Sequence, residues 1–186
     1  LAPSPRYRSL LDGRGIAFAP LSDDLVALIE TPEGRAAIAA TTRLATGLRT
    51  VVRLVRRTRQ IQLDLVRDGW AAAARVRPDV IVYHPKMAAG PWYAEKLGIP
   101  AVFAPLFPTF LPTAAFPHPG FPPLPLGPLT PAYHRLTYRL VLAVASQVSA
   151  YYFGPWRAAH GLPPLGWTDD LLHRADGTRV PVLNAW

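Results

Sequence analysis

The chain has 186 residues, half of them hydrophobic, a formal net charge of +8 and no cysteine. That is long enough for one domain with a sizeable core and too apolar for disorder. It excludes a disulfide framework and a thiolate metal site. The five histidines, His84, His118, His134, His160 and His173, lack metal-ligand spacing, so no metal is expected. The charge permits attraction to nucleic acid or to an anionic membrane surface, and it equally fits an arginine-rich chain with solvated basic faces. No apolar stretch approaches the roughly 20 residues of a membrane-spanning helix. No signal-peptide pattern is visible. The chain opens on Leu1 and is expected to be a piece of a longer protein.

Ala2 to Leu11 reads as a short helix, with Pro3 or Ser4 near its start and Gly13 past its end. Gly15 to Pro20, G-I-A-F-A-P, reads as a short strand. Leu21 to Glu30 is ambiguous, although Ser22-Asp23-Asp24 offers a cap for a helical turn, and Thr31-Pro32-Glu33-Gly34 is a second cap or a turn. From Arg35 to about Arg75 the pattern is helical, interrupted near Gly47. Leu48, Val51, Val52 and Val55 recur at helical spacing, as do Ile61, Leu65, Val66 and Trp70. Arg49, Arg53, Arg56, Arg57 and Arg59 fill much of the remaining surface. They suit a solvated helix face, or a patch meeting a membrane surface or a polyanion. With no aromatics between them, nucleic acid is the weaker option.

The chain is organised around Arg77 to Pro108. Asp79 to Tyr83 is a short apolar run rich in β-branched residues, the pattern of a strand buried on both faces, and His84-Pro85-Lys86 ends it. Met87 to Leu97 reads as a helix that begins properly near Pro91, because proline is tolerated in the first turn and not later. Gly98 suits its C-terminal cap, and Ile99 to Ala104 is the second strand. Two parallel strands joined by one helix form a βαβ unit, and in such sheets ligands bind outside the carboxyl ends of the strands. Those ends are Tyr83–Lys86 and Pro105–Phe110.

Pro105 to Pro131 is a proline-rich loop studded with Phe107, Phe110, Phe116 and Phe121. Its prolines forbid helix and central strand. A stiff aromatic loop directly after a strand suits a surface that covers an apolar ligand or partner; it also suits a linker packed on its own domain or a proline-recognition ligand. Thr130-Pro131 reads as an N-cap and first helical residue. A helix follows from Ala132 to about Tyr152, with Tyr138, Leu142 and Ala145 on one face, and Phe153-Gly154-Pro155 breaks or kinks it. Trp156 to His160 is a further helical turn stopped by Gly161, and Leu162 to Trp167 a loop. Thr168-Asp169-Asp170 offers a cap for a short helix through His173, and Val180 to Trp186 reads as a strand.

No G-x-S-x-G, P-loop, H-E-x-x-H or G-x-G-x-x-G is present, and Asp23-Asp24 and Asp169-Asp170 read as caps. His84, with Lys86 two residues on, is the most interesting titratable group. It suits a polar group orienting a ligand hydroxyl, or a turn histidine satisfied by backbone. Trp92 and Tyr93 read as packing residues.

Taken together, R-P-D-V-I-V-Y-H-P-K-M-A-A-G, A-E-K-L-G-I-P-A-V, P-T-F-L-P-T-A-A-F-P-H-P, L-T-Y-R-L-V, L-P-P and P-V-L-N-A-W, in that order, resemble the N-terminal half of sterol 3-β-glucosyltransferase-like enzymes of the UDP-glycosyltransferase group. The upstream R-Y-R-S-L-L-D-G-R-G-I-A-F-A-P-L continues the likeness, so it covers nearly the whole chain. It implies an α/β fold: a Rossmann-like, mostly parallel sheet with flanking helices, the N-terminal half of a GT-B fold, truncated at both ends. Residues 1–186 would be a partial acceptor-binding domain. Family members begin with a strand and a Gly-rich turn carrying the catalytic base, and end with a second domain holding the nucleotide-sugar. Both are expected to lie outside this chain. Some relatives carry an Asp where Pro85 stands, which argues against a His–Asp dyad here.

The resemblance implies an inverting transfer of a sugar from a nucleotide-sugar, UDP-glucose in the first instance, to a hydroxyl of a lipid, sterol or other apolar acceptor. His84, Lys86, Phe107, Thr109, Phe110 and Phe116 would line the acceptor wall. No catalytic residue and no cofactor are expected within the chain, which alone would be inactive. The partners implied are the apolar acceptor, the second domain and a membrane met through Arg49, Arg53, Arg56, Arg57 and Arg59, with no nucleic acid. The setting implied is cytoplasmic, with a peripheral position at the membrane as a further option. The alternative is a non-catalytic accessory or binding module derived from the same fold.

Overall fold

The computed structural model describes residues 4–32, 35, 47–85, 87, 89–106, 110–166, 172–173 and 177–183, without the side chains of 25 and 47–54. The chain divides into two compact units, Leu1–Pro78 and Asp79–Trp186.

The first unit opens with a 3-10 helix, Pro5–Leu10, rather than an α-helix, capped by the Ser4 side chain accepting from the Arg6 N–H at 3.3 Å. None of its residues is buried, so it has no packed face to draw it into α geometry. Ile16 to Pro20 is irregular and not the expected strand. An extended run holds its shape through a neighbour's backbone, and these residues pair with no strand among those described. The ambiguous segment is helix α1, Asp24–Glu30. Asp23 stands at its N-cap without a capping hydrogen bond, because its carboxylate accepts instead from the Ser4 hydroxyl and the Arg6 guanidinium. The Ser4 bond first, and Arg6 after it, hold the Asp23 carboxyl below its ordinary value. Arg6 also reaches Glu30 at 2.5 Å.

Helix α2, Gly47–Val76, runs for 30 residues. Thr58, Leu65 and Val66 are buried on one side, while Arg56 and Arg57 are exposed and Arg59 half-buried. The backbone N–H of Ser22 donates to Asp68 at 2.9 Å, tying the segment before α1 to this helix.

The second unit is α/β. Strands β1 (Ile81–Tyr83) and β2 (Ala101–Phe103) are parallel, with Ile81 opposite Ala101, Val82 opposite Val102 and Tyr83 opposite Phe103. Helix α3, Gly90–Leu97, joins them, with Pro91 in its first turn and Gly98 in the left-handed conformation (φ 68°) as its cap. The expected βαβ unit is therefore present. β1 is not buried on both faces, however: Tyr83 is 3% exposed and Val82 57%. The Val82 side of β1 is open to solvent. A single parallel bridge from Phe103 to Val182 continues the sheet past β2, with the Leu183 N–H donating to the Phe103 carbonyl at 2.8 Å. This is where the C-terminal strand was expected; residues 184–186 lie outside the described ones. His173 forms an antiparallel bridge with Arg179, and the Thr168-Asp169-Asp170 cap expected for a short helix before it lies outside the described residues.

The described part of the proline-rich segment carries no strand, and a 3-10 turn, Gly127–Leu129, leads into helix α4, Thr130–Ala159. Thr130 is not the N-cap; it is the first helical residue, and its hydroxyl accepts the Leu126 N–H at 3.0 Å. Of the break or kink expected at Phe153-Gly154-Pro155, the break does not occur, and α4 runs through Pro155. Packing on both sides of the proline accounts for this. Phe153 lies against Trp92 (ring centroids 4.7 Å apart) and Trp156 against Tyr93 (5.3 Å), so α3 grips the helix before and after Pro155. Gly161 (φ 70°) turns the chain away beyond the helix end. The core of the unit gathers Tyr83, Ala94, Ala101, Phe103, Leu142, Leu172 and Val180.

Candidate functional site

The carboxyl ends of β1 and β2 come together through a short ladder of rings. Tyr83 and Phe103 are cross-strand partners with centroids 5.4 Å apart, and Phe110 meets Phe103 edge to face at 6.4 Å. His84 follows Tyr83 directly and is half-buried. Its carbonyl accepts the Met87 N–H at 2.8 Å and closes the turn into α3. Phe110 leans with Leu111 onto the core. Phe116, farther along the segment, is 43% exposed. Lys86, Phe107 and Thr109 lie outside the described residues.

Gly90 was legible only as a possible helix boundary. A Cβ built on it would sit 2.4 Å from the Cβ of Tyr83 and 2.6 Å from its Cγ. Glycine is therefore required for the first turn of α3 to lie against the end of β1. The turn carrying His84 is bounded by this backbone contact.

Sequence spacing leaves His118 and His134 apart; the fold joins them. Residues 114–122 are pinned to the first turns of α4 by side chains. The His118 N–H donates to the Thr137 hydroxyl at 2.9 Å, and that hydroxyl donates to the His134 carbonyl at 2.6 Å. His134 Nδ1 lies 2.8 Å from the Ala114 carbonyl, and the Tyr133 hydroxyl donates to the Pro122 carbonyl at 2.8 Å. His118 Nδ1 accepts the Gly120 N–H at 3.0 Å. In the neutral ring this puts the proton on Nε2. The His118 ring packs edge to face on Tyr138 (5.5 Å) and Phe121 (6.3 Å). Its Nε2 and the Tyr138 hydroxyl are buried without a hydrogen-bond partner among the described residues. Burial accordingly pushes the His118 pKa down and that of Tyr138 up. The expectations from sequence do not include this set; the features that hint at it are H-P-G at 118–120 and polar residues at 134 and 137, three apart on one helix face.

A buried ion pair braces α3 on α4. The Arg157 side chain, 3% exposed, donates to Glu95 at 3.0 and 3.5 Å and to the Pro163 carbonyl at 2.7 Å, with its guanidinium 5.7 Å from the Trp92 ring centroid. Lys96 adds a bond to the His160 carbonyl at 2.7 Å. In the first unit, an open depression is lined by Arg8, Leu11, Asp12, Ile16, Phe18 and Pro20, none of them an expected site residue. No group of three metal-binding side chains occurs among the described residues.

No protein-family model matches the chain, and no curated protein does. Among solved structures, the glycosyltransferase SsfS6 of Streptomyces sp. SF2575 aligns over 92% of this chain at 18% identity and a TM-score of 0.46. Its complex with thymidine diphosphate aligns over the same share at 19% identity and a TM-score of 0.45. The chain spans 39% and 38% of the length of those structures. Likeness at this level leaves the functional reading to the chain's own residues.

Proposed function

We propose that this chain is the acceptor-binding part of an inverting glycosyltransferase of the UDP-glycosyltransferase group, with a GT-B architecture, which moves a sugar from a nucleotide-sugar to a hydroxyl of a lipid, sterol or other apolar acceptor. The observation that carries the reading is the proline-rich aromatic segment that follows the carboxyl end of β2, where α/β sheets take their ligands, and whose residues 114–122 are pinned to α4. The order of motifs resembling sterol 3-β-glucosyltransferase-like enzymes supports it. In this reading His84 orients the acceptor hydroxyl, while Phe110 and Phe116, with Lys86, Phe107 and Thr109, line its apolar body. UDP-glucose is the donor, held by the second domain, which also leaves this chain inactive alone. The arginines of α2 add attraction to an anionic membrane, nucleic acid is not a partner, and the setting is cytoplasmic or peripheral at the membrane.

The test is equilibrium binding to the chain itself. A fluorescent sterol is expected to bind, and Phe116→Ala to weaken it about tenfold, as for an aromatic ring lost from an apolar contact. UDP-glucose is expected not to bind. Tight binding of UDP-glucose with no affinity for sterol, flavonoid or glycopeptide acceptors would overturn the assignment. Glucosyl transfer by the protein carrying both domains tests the reaction separately from acceptor binding.

A further inference from the structure

Helix α4 buries one side in the second unit, through His134, Thr137, Tyr138, Leu142, Ser146, Ser149 and Tyr152. Its other side is not the polar face expected of such a helix. Leu129, at the N-cap, and Leu136, Leu140 and Val144 are 67%, 50%, 48% and 57% exposed. At about 100° per residue these four fall within an arc of about 80°, a stripe roughly 20 Å long. Leu124 and Leu126, just before the helix, are 41% and 43% exposed and extend the aliphatic surface.

The charges beside the stripe are of one sign. Arg135 and Arg139 are exposed, each one position before a stripe leucine. From Lys96 to Thr168 the chain contains no Asp or Glu, so no carboxylate from this segment offsets them. Exposed aliphatics with neighbouring arginines and no acidic residue suit the headgroup region of an anionic bilayer: the leucines enter the acyl boundary, and the arginine stems lie along the apolar surface with their guanidinium groups on phosphate. A second copy of the same face would set arginines against arginines. No helix among the described residues is long and apolar enough to cross a membrane, so the contact is one of lying on the surface. Helix α2 differs in this respect: among its described side chains Thr58, Leu65 and Val66 are buried and Arg56 and Arg57 exposed, and the exposed large aliphatic is Val76, at the helix end, 19 residues beyond Arg57.

We propose that the outer face of α4, Leu129, Leu136, Leu140 and Val144 flanked by Arg135 and Arg139, is a docking surface for an anionic lipid bilayer. The inference does not rest on the glycosyltransferase reading, and its test needs no turnover. The chain is sedimented with vesicles of phosphatidylcholine alone and of equal phosphatidylcholine and phosphatidylserine. It is expected to bind the mixed vesicles and to bind the neutral ones at least tenfold more weakly. The exposed pair Leu136→Ser and Leu140→Ser is expected to weaken binding to the mixed vesicles on the order of tenfold or more. Arg135→Gln with Arg139→Gln is expected to remove most of the preference for anionic lipid. Equal binding to both vesicles, or binding lost only with Arg56→Gln, Arg57→Gln and Arg59→Gln, would overturn the proposal. So would a concentration-dependent dimer abolished by the serine pair with no vesicle binding.

Discussion

Replacing Arg157 by alanine is expected to cost about 3 kcal/mol of stability, built from the following terms. The guanidinium makes two hydrogen bonds to Glu95 and one to the Pro163 carbonyl from a side chain that is 3% exposed. Hydrogen bonds to a charged partner contribute about 1.5–3 kcal/mol net. The arginine's position over Trp92 adds about 0.5–1 kcal/mol. Breaking a fully buried ion pair costs about 3–5 kcal/mol, because the stranded charge stays in a dry site. Here the lower end applies, since the Glu95 side chain keeps 27% exposure and recovers part of its hydration. Glu95→Gln keeps an acceptor and the packing, and is expected to cost only about 1 kcal/mol. Urea unfolding followed by far-ultraviolet circular dichroism gives each value, and the double variant completes a cycle with an expected coupling of about 1.5–2 kcal/mol. If Arg157→Ala falls within about 0.5 kcal/mol of the parent, or the two changes are additive, the pair does not brace α3 on α4 and the reasoning fails.

Gly90→Ala would gain about 1 kcal/mol in helix propensity on an open site, yet is expected to lower the melting temperature, because its Cβ would meet Tyr83 at 2.4 Å; a rise would refute the close approach. His118 has a folded-state pKa below its ordinary 6.5. The unfolded chain therefore binds more protons below that value, so the histidine's contribution is complete above pH 6.5 and is lost as pH falls. His118→Gln is expected to flatten this part of the stability–pH curve, and an unchanged slope in the variant would show that the proton goes elsewhere. Thr137→Val removes the hydroxyl that joins the His118 N–H to the His134 carbonyl. It is expected to cost about 1–3 kcal/mol and to speed amide exchange across residues 114–122, and exchange at the parent rate would contradict the pinning. Phe116→Ala is expected to leave stability within about 0.5 kcal/mol of the parent, since the ring is 43% exposed, so that any loss of sterol binding reports contact rather than unfolding.

The elements readable from sequence are those whose signals are local. D-V-I-V-Y, Pro91, Gly98 and I-P-A-V-F mark β1, α3 and β2 because strand runs and helix punctuation act within a few residues. What the sequence misses depends on distant partners. Pro155 reads as a break until Trp92 and Tyr93, about 60 residues earlier, hold the helix on both sides of it. Gly15 to Pro20 reads as a strand, but a strand needs a neighbouring strand to form a ladder, and the described sheet contains only β1 and β2. Val82 reads as core because β-branched runs usually are, and only the packing shows its side of the sheet open. Of the expected site residues, His84 was legible as a turn histidine at a strand end. The set formed by His118, His134, Thr137 and Tyr138 was not, because it is assembled across 16 to 20 residues by a loop folding back on a helix.

The stiffness of the segment after β2 bears on how selective its surface can be. Proline fixes its own φ and restricts the residue before it, so the chain from Pro112 to Pro128 has little conformational freedom to give up when something settles against it. Side-chain bonds to α4 remove more. A surface whose order is in place beforehand gains affinity without an entropic penalty at the moment of contact. The same stiffness keeps it from remoulding around guests of different thickness. Variants that accept a new molecular shape should therefore arise by exchanging ring sizes such as that of Phe116, and seldom by shifting the backbone that carries them.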